Sequence, residues 1–444
     1  MKRRSFLRGS GSLALASLAT GLPASFLRTG RIVKAQAGTR PSFLVLAVSS
    51  GGDPLNANCP GSYPNPSDAS DVRWGIDHAT VSELGSGPMG SVGGVPYGAA
   101  DFAEGVPCRL GDTLTWSARP WAELPEAVRR RMSVVRHQTY TNAHPEFANV
   151  SRFHGAVKGP GRIGVESLPS FIAQETAGPL GTTLPTPISL GGPGVSFQGT
   201  PLRKQSPDTL QSLFSESGSW RGLTPTQFAD FRDEAMDAIY GELRDSGTHA
   251  QRSYLDAHAR SRADARDLVG ALSEALAPVA ATGDAVAKQV LAAVALFEHA
   301  VTPVVTIQLP FGGDNHQDSD LEVEVSEQLQ GIEGIRRLFA EAEQRGLSER
   351  VTFATLSVFG RELKRNRFGG RGHHGVDHAM VMVGPGVSPG LHGQVEPHDR
   401  DFRAGAIGDV SIEETLSAAG KTLAAAVGVP NEVLEQRIVG GRVL

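Results

Sequence analysis

Short apolar runs alternate with a helical stretch in the second half of the chain, and this alternation constrains the fold more than any other feature. The runs 304–309, 351–356 and 379–383 are predominantly apolar, which is typical of strands buried on both faces of a parallel sheet. Between the first two runs, apolar residues from Leu329 to Phe339 recur at helical spacing. Because parallel strands are joined by right-handed crossovers, the sequence predicts a doubly wound, mostly parallel α/β sheet with helices on both faces.

The first half of the chain contains three more strand candidates. Phe43–Val48 ends in Ser-Ser-Gly-Gly-Asp, and Met132–Val135 and Pro187–Leu190 are shorter runs of the same kind. Residues 54–118 are rich in Gly, Pro and Ser and have no sustained period, so we expect an irregular excursion there. A loop of about twenty mostly polar residues is likewise expected after the 351–356 strand.

Residues 223–300 differ in character from the rest of the chain. Thr224-Pro225-Thr226-Gln227 has the form of a helix start, with a capping hydroxyl, a proline at the first helical position and a glutamine reaching back. Apolar residues then recur near a period of 3.6. We therefore expect a helical insertion at 223–300 within a single α/β domain that spans residues 38–444.

Residues 1–37 have the pattern of an export signal. Lys2-Arg3-Arg4-Ser5-Phe6-Leu7-Arg8 has the order of a twin-arginine signal, a diluted apolar stretch follows, and Ala35-Gln36-Ala37 supplies a small-x-small cleavage pattern. We expect the twin-arginine machinery to export the protein to the periplasm or the extracellular space. No run reaches the ~18 to 20 apolar residues of a membrane helix, so no membrane span is expected in the mature chain.

The net charge excludes one class of partner. Residues 1–37 carry seven bases and no acid, so their removal takes the net charge from −5 to −12. Since an acidic protein repels phosphate backbones, nucleic acid is not expected as a partner.

Cys59 and Cys108 are the only cysteines, and in an oxidising compartment they either pair or remain two buried thiols. The oligomeric state stays open.

Polar side chains follow several predicted strands at the point where each strand ends. Because doubly wound sheets bind ligands beyond the carboxyl ends of their strands, we expect these side chains to meet at one edge. Carboxylates and imidazoles together suit a divalent cation such as zinc or manganese, or calcium where imidazoles are fewer. The candidates, in chain order, are Asp53; Arg136, His137, Thr141 and His144; Asp314 and His316; and Arg361, His373, His374, Asp377 and His378.

Each part of this set also has an explanation without a metal. Asp53 beside two glycines is equally compatible with a turn, and the histidines from 373 to 378 with an anion site or a solvated loop. The arginines of the same loop, Arg361 among them, suit either a solvated face or bidentate binding of a substrate oxyanion.

Several motifs occur in an order that resembles one bacterial family. They are Ser49-Ser-Gly-Gly-Asp-Pro-Leu-Asn56, Gly312-Gly-Asp-Asn-His316, Ser357-Val-Phe-Gly-Arg361, Gly370-Arg-Gly-His-His374 and Gly384-Pro-Gly-Val-Ser-Pro-Gly390. They are similar to the motifs of the exported family known as domain of unknown function 1501, most clearly over residues 290–395. That family is in turn similar to the alkaline phosphatase and sulfatase superfamily, whose doubly wound sheet holds divalent metals at its strand ends.

The resemblance implies metal-assisted hydrolysis of phosphate or sulfate esters. It implies Asp53, Asp314, His316, His373 and His374 as metal ligands. Asp377 and His378 are the candidates to compensate for the family's two missing acidic residues, and of these His378 is included among the expected ligands. Thr141 is the hydroxyl nearest to the family's serine, so it is the candidate nucleophile. Arg361 would bind the non-bridging oxygens of the substrate.

Three departures from the family's motifs keep a second function open. Val358 and Gly372 stand where the family has acidic residues, and Ala143 stands where it has a serine. One expectation is therefore an exported hydrolase, active or degenerate, that acts on a small anionic ester or a polysaccharide-type substrate. The alternative is a non-catalytic exported protein of the same fold that serves in binding or surface assembly.

Overall fold

The computed structural model describes residues 42–75, 87–138, 140–151, 158–159, 162–163, 166–180, 186–191, 195–197, 200–214, 225–317, 321–393, 395–398, 401–404 and 412–443. Of these, Ser206–Gly283 form one compact unit and the remaining residues form another. The predicted export signal at 1–37 and the predicted cap at Thr224 lie outside the described residues. None of the helices in the described part of the chain has the length and hydropathy that crossing a membrane requires.

The described strands are short, and most belong to a central sheet or to small hairpins. In chain order they are β1 Phe43–Ser49, β2 Pro88–Val92, β3 Val95–Gly98, β4 Val106–Leu110, β5 Thr113–Ser117, β6 Met132–His137, β7 Lys158–Gly159, β8 Arg162–Ile163, β9 Ile188–Ser189, β10 Ser196–Phe197, β11 Thr200–Pro201, β12 Val304–Ile307, β13 Val351–Ser357, β14 Gly360–Arg365, β15 Arg371–His374, β16 His378–Val383, β17 Gly390–His392, β18 Val395–His398 and β19 Asp401–Ala404.

Seven of these strands form the central sheet, in the order β17-β6-β16-β13-β1-β12-β9. β1 lies between β12 and β13 and is parallel to both, and β9 and β17 are parallel to their neighbours β12 and β6. β16 runs antiparallel to β13 on one side and to β6 on the other. The prediction of an α/β fold with a mostly parallel sheet is confirmed. β16 therefore begins at the edge where its two neighbours, β13 and β6, end.

The helices flank the sheet or form the separate helical unit. In chain order they are Leu55–Asn58, Ala100–Ala103, Arg119–Ala122, Glu126–Arg129, Phe147–Ser151, Leu168–Leu180, Pro207–Phe214, Pro225–Ser246, His249–Ala281, Ala285–Glu298, Glu322–Gln344, Ile412–Ala426 and Asn431–Arg437, with 3-10 turns at Val72–Gly75 and His144–Glu146.

The two faces of β1 pack against different helices, as its continuous apolar sequence predicts. Leu44 and Leu46 are fully buried in a core that also contains Phe171 and Leu416 of the flanking helices. Phe43, on the opposite face, stacks on Phe297 of the helix Ala285–Glu298 with ring centroids 4.6 Å apart. Because successive side chains of a strand point to opposite faces, both layers of helices are anchored on the same short strand.

The helical unit consists of Pro207–Phe214, Pro225–Ser246 and His249–Ala281. A capping box begins the longest helix, because Thr248 Oγ1 accepts from the Gln251 backbone N–H and Gln251 Oε1 accepts from the Thr248 N–H. The helix Ala285–Glu298, which the sequence placed in the insertion, belongs to the unit that contains the sheet.

The segment expected to be irregular contains two antiparallel hairpins, β2–β3 and β4–β5. Their strands have four or five residues each, so the alternation of apolar and polar residues ends before it can be recognised among the Gly and Pro residues. Cys59 and Cys108 are both buried and unpaired in the structure. Of the two alternatives that the sequence left open, the structure therefore has the pair of buried thiols.

Candidate metal centre

Three histidines from different segments meet at the edge where the parallel strands end. We call His144, His316 and His373 the histidine triad. His144 lies in the 3-10 turn after β6, His316 in the loop after β12, and His373 in β15. His373 Nε2 lies 2.6 Å from His316 Nε2 and 3.2 Å from His144 Nε2, and each histidine is partly exposed. One nitrogen from each ring therefore converges on a common point within reach of a single ion.

The hydrogen bonds of the other ring nitrogens set the tautomer of two of these histidines. His144 Nδ1 lies 2.6 Å from the carbonyl oxygen of Ser50, and His373 Nδ1 lies 3.0 Å from that of Asn142. Since a carbonyl oxygen only accepts, both Nδ1 atoms must donate, and a neutral ring then has its lone pair on Nε2. Metal-binding histidines in proteins commonly have this arrangement, because the carbonyl fixes the orientation of the ring.

The environment of His316 and His373 favours neutral imidazoles. Desolvation, with the positive Arg361, lowers the pKa of His373 to about 4 against the raising effect of the Asn142 carbonyl. Desolvation and Arg361 also lower the pKa of His316 below its ordinary value. Both rings are therefore uncharged at neutral pH, which is the form that binds a metal ion.

Asp314 adds a carboxylate to the triad. Its Oδ2 lies 3.5 Å from His144 Nε2, its Oδ1 lies 3.5 Å from His316 Nε2, and its side chain is about half exposed. Burial opposes ionisation, but electrostatic interactions with His144 and Arg361, together with the Arg361 hydrogen bond, outweigh burial and hold the pKa of the Asp314 carboxyl below its ordinary value. The group of side chains therefore offers three nitrogen donors and one ionised carboxylate.

Arg361 is a positioning residue for this group. Its guanidinium is fully buried and donates to the carbonyl oxygens of Gly51, Gly52 and Arg371 and to Asp314 Oδ1, the last at 3.0 Å. The sequence assigned Arg361 to a substrate oxyanion, whereas in the structure its donors join the β1 loop to the carboxylate. A buried arginine with this many acceptors fixes the orientation of Asp314.

The paired glycines of the β1 and β12 loops allow their backbones to approach. A Cβ on Gly51 would lie 3.1 Å from Gly313 Cα, and one on Gly52, whose φ is +70°, would collide with the Phe359 ring. The ring of His373 stacks on the other side of this contact, with its centroid 3.9 Å from that of Phe359. The Gly-Gly pairs are therefore required by the packing that brings the two loops to the triad.

The expected polar loop after β13 is a hairpin of β14 and β15, with Arg361 opposite His373. Arg371 is fully buried and donates from Nε to Glu324 Oε2 at 2.6 Å. The same carboxylate accepts from Asn315 Nδ2 at 2.6 Å, so the hairpin and the loop carrying His316 share one buried anion. A buried ion pair with these added hydrogen bonds fixes the position of the hairpin relative to the loop that carries His316.

Asp53 is buried beside the triad rather than within it. Its Oδ1 accepts from Ser49 Oγ at 3.3 Å, and its backbone N–H donates to Ser357 Oγ at 3.1 Å. Burial raises the pKa of the Asp53 carboxyl to about 7 against the lowering effect of Ser49, and the nearby Glu327 raises it further. Asp53 therefore joins the ends of β1 and β13 at the base of the site.

His374 and His378, two more of the predicted ligands, do not point their nitrogens at the triad. His374 Nδ1 accepts from the backbone N–H groups of Val376 and Asp377. A neutral ring with Nδ1 used in this way carries its proton on Nε2, so it has no lone pair left for a metal. Thr141, the predicted nucleophile, is partly exposed and directly precedes Asn142, whose carbonyl holds His373.

His378 belongs to a second group, which we call the buried aromatic cluster: His137, Tyr140 and His378. His378 pairs with His137 across β16 and β6, and the two rings meet edge to face with centroids 5.0 Å apart. Tyr140 stacks on His137 at 4.8 Å, and its hydroxyl lies 3.2 Å from His137 Nε2. Desolvation lowers the pKa of His137 to about 4 and that of His378 well below its ordinary value.

His144 is the triad residue that the predicted ligand set did not contain. The sequence-based prediction placed it after the second strand beside His137 and did not choose between the two rings. Pro145 follows His144 and the 3-10 turn begins at His144, so the chain leaves the strand direction there. A histidine at the start of a turn, rather than on the strand, was the available signal.

The motifs that resembled a known family can now be compared with a family model. Residues 194–408 match the family described as Protein of unknown function (DUF1501). The match confirms that part of the resemblance and includes Asp314, His316 and His373, whereas Asp53 and His144 precede it. A comparison with curated proteins found no match.

The structure shows what surrounds Val358 and Gly372, which stand where the DUF1501 motifs have acidic residues. Val358 is fully buried in the hydrophobic core. Gly372 lies in β15 beside Glu362, and a Cβ at position 372 would lie 2.5 Å from a Glu362 carboxylate oxygen. Neither departure removes a member of the histidine triad.

The donors that are present fit a single divalent ion. Ligand nitrogens about 2.0–2.1 Å from a tetrahedral zinc lie roughly 3.3 Å from one another. The His144 and His373 nitrogens are 3.2 Å apart, whereas the 2.6 Å between the His316 and His373 nitrogens must widen for both to bind the same ion. Three imidazoles favour zinc over calcium, which prefers oxygen ligands. The partial exposure of all three rings is consistent with a site that keeps one position open.

Proposed function

We propose that the histidine triad binds one divalent metal ion, with zinc the best match to its donors and manganese the next. The observation that carries this proposal is the convergence of the three Nε2 atoms, two of them on rings whose Nδ1 atoms face backbone carbonyls. Asp314 is the fourth candidate ligand. Arg361 fixes the Asp314 carboxylate and so reduces the ordering that binding requires.

We further propose that the protein is an exported hydrolase of phosphate or sulfate esters with an alkaline-phosphatase-like fold. The position of the triad, beyond the carboxyl ends of the parallel strands, supports this proposal. A divalent ion held there would polarise an ester oxygen and lower the pKa of a water molecule. Export by the twin-arginine route is supported by the basic and apolar pattern of residues 2–26.

The side chains of the site suggest a division of roles for this reaction. Asp314 is ionised and about half exposed, so it is suited to bind the metal ion beside the triad. Thr141 is the proposed hydroxyl nucleophile, on the segment whose Asn142 carbonyl orients His373. Arg361 acts on the metal site by fixing the Asp314 carboxylate, because its N–H groups donate to acceptors within the protein rather than to a substrate.

A second candidate function has one observation in its favour. The buried arginines of the hairpin, Arg361 and Arg371, are both bonded within the protein, so neither is presented to a substrate oxyanion. A phosphatase usually supplies such a cation. An exported binding or surface-assembly protein that retains only the metal site is therefore the alternative.

Elemental analysis and ester hydrolysis test the two functions separately. Chain purified after export should contain zinc or manganese up to one ion per chain, and Asp314→Asn combined with His316→Ala should reduce this to background. The matched control His392→Ala changes a histidine whose Nε2 lies 3.0 Å from the Ser388 carbonyl oxygen, outside the triad, and should retain the metal. Metal retained by the double variant would overturn the site. Metal without turnover of chromogenic phosphate or sulfate monoesters would favour the binding function.

A further inference from the structure

A cavity lies at the edge of the central sheet opposite the histidine triad. Its volume is about 770 Å³, and it lies between the β4–β5 turn, the helix Glu126–Arg129 and the loop before β17. β6 begins just after this helix and runs towards His144, so about 20 Å of strand separates the cavity from the triad. The cavity is therefore distinct from the candidate metal centre.

A glycine allows the walls of the cavity to approach one another. Gly111, in the β4–β5 turn, has a φ of +54°, and a Cβ at this position would lie 2.8 Å from Pro389 Cβ. The Gly111 backbone N–H also donates to the carbonyl oxygen of Arg129 at 3.3 Å. The turn, the helix and the loop are thus packed and hydrogen-bonded together, so the cavity is a formed feature of the fold.

Two arginines that line the cavity are fixed by neutral acceptors. Arg129 donates from Nε to the Leu124 carbonyl oxygen at 2.8 Å and from Nη1 to the Arg109 carbonyl oxygen at 3.3 Å. Arg109 donates from Nη1 to the Asp112 carbonyl oxygen at 3.3 Å. Among the described residues neither guanidinium pairs with a carboxylate, and each has N–H groups beyond those that these carbonyls use. Two oriented positive charges of this kind suit an oxyanion.

The other charged residues of the cavity narrow the class of ligand. Arg130 is paired with Glu126, whose Oε1 accepts from Arg130 Nε at 2.8 Å, and the exposed Asp112 also lines the cavity. Since carboxylates only accept, these two acids favour a ligand with hydroxyl groups and repel one with many anionic groups. Cavities of about 300–1,000 Å³ hold small organic molecules, so this one has room for more than an inorganic ion.

We propose that this cavity binds a sugar that carries one sulfate or phosphate group. The oxyanion accepts from the guanidiniums of Arg109 and Arg129, and hydroxyl groups of the sugar donate to the carboxylates of Asp112 and Glu126. The protein thereby has a second ligand site, at the sheet edge opposite the histidine triad. Binding at this site requires no metal ion and does not depend on the proposed hydrolysis.

Isothermal titration of the full chain with glucose 6-sulfate and with glucose 6-phosphate tests the proposal. At least one of the two should bind with one molecule per chain, roughly ten-fold or more tightly than glucose, which lacks the charged group. The tighter of the two identifies the oxyanion. Arg109→Gln combined with Arg129→Gln should weaken this binding about ten-fold or more. Arg403→Gln, at an exposed arginine outside the cavity, is the control and should leave the affinity unchanged.

A single variant guards against a double variant that fails to fold. Arg109 is exposed, so Arg109→Gln should keep the circular dichroism of the chain and still weaken binding several-fold at low salt, with a smaller difference at high salt. A chelator, which would strip the triad of metal, should not change the affinity. Equal affinity for glucose or for inorganic sulfate and phosphate would overturn the proposal. So would the absence of binding, its loss in the chelator, or full affinity in both arginine variants.

Discussion

The histidine triad and the buried aromatic cluster lie at the same edge of the same sheet, yet their histidines have different surroundings. The triad residues lie on turns, loops and a hairpin, and are partly exposed with their Nε2 atoms converging. His137 and His378 lie on β6 and β16 themselves, where the sheet buries them completely. Both groups contain rings with lowered pKa values, so a lowered pKa does not by itself distinguish a ligand from a packed ring.

The direction of the ring nitrogens makes the difference. In the triad, two Nδ1 atoms face carbonyl oxygens and leave Nε2 for a ligand. In the buried aromatic cluster, His137 Nδ1 lies 2.7 Å from the Gln138 carbonyl oxygen, but its Nε2 meets the Tyr140 hydroxyl. A histidine whose two nitrogens both have partners inside the protein contributes to packing and has nothing left for a metal.

Removing one histidine from each group should give the largest contrast. His373→Ala should weaken metal binding on the order of 10²- to 10³-fold, since it removes one of about four ligands, while the unfolding temperature without metal changes little. His137→Ala should keep the metal content but lower the free energy of unfolding by about 3 kcal/mol, because it leaves a cavity in the core. Metal titration and urea denaturation measure the two effects. Equal metal loss in both variants would remove the distinction between the groups.

The pH dependence of stability should identify the buried aromatic cluster. The pKa of His137 is about 4 in the folded protein and about 6.5 when unfolded, so the unfolded chain binds more protons between these values. The contribution of His137 to the free energy of unfolding is therefore complete above about pH 6.5 and is lost as the pH falls towards 4. Between these two pH values, urea denaturation should show that the free energy of unfolding falls on the order of 3 kcal/mol because of His137 alone.

The measurement requires a matched variant because Asp53 acts in the opposite direction. The raised pKa of Asp53 means that the folded chain binds a proton more readily than the unfolded chain. As the pH falls below about 7, protonation of Asp53 therefore increases the free energy of unfolding. The difference between the wild-type chain and His137→Gln isolates the contribution of His137. An identical pH slope in the two chains would count against a buried neutral histidine.

A smaller effect is expected from the residue that orients the triad's carboxylate. Arg361→Lys keeps the charge but cannot reach the carbonyls of Gly51 and Gly52 and Asp314 together, so metal affinity should fall about ten-fold. Arg403→Lys, at an exposed arginine that pairs with Glu396, is the control and should bind metal normally. Isothermal titration with zinc measures both. Unchanged affinity in Arg361→Lys would mean that the carboxylate is not involved.

Much of the fold could be predicted because a short, continuous apolar run indicates a strand whose two faces are both buried in the protein. β1, β6, β12, β13 and β16 all occur where the sequence predicts strands, and the residues from Leu329 to Phe339 face the core from one helix. The direction of β16 was not predictable. A buried strand has the same composition whether it runs with its neighbours or against them.

The candidate site was predictable to the level of segments but not of side chains. Asp314, His316 and His373 were expected to meet, and the structure brings them together. The hairpin β14–β15 was expected to be a polar loop. An arginine such as Arg361 is predicted to be exposed to solvent unless buried hydrogen-bond acceptors are known to surround it. His144 could not be separated from His137, since both follow the same strand and differ only in where the backbone turns.

The antiparallel direction of β16 has a consequence for how this protein can change. Because β13 ends and β16 begins at the same edge, the intervening residues 358–377 leave the sheet and return to it at neighbouring points. Such an insertion can be lengthened, shortened or exchanged as a cassette without altering the order of the strands. Related chains are therefore free to diverge in reactivity through this one segment while inheriting an unchanged scaffold.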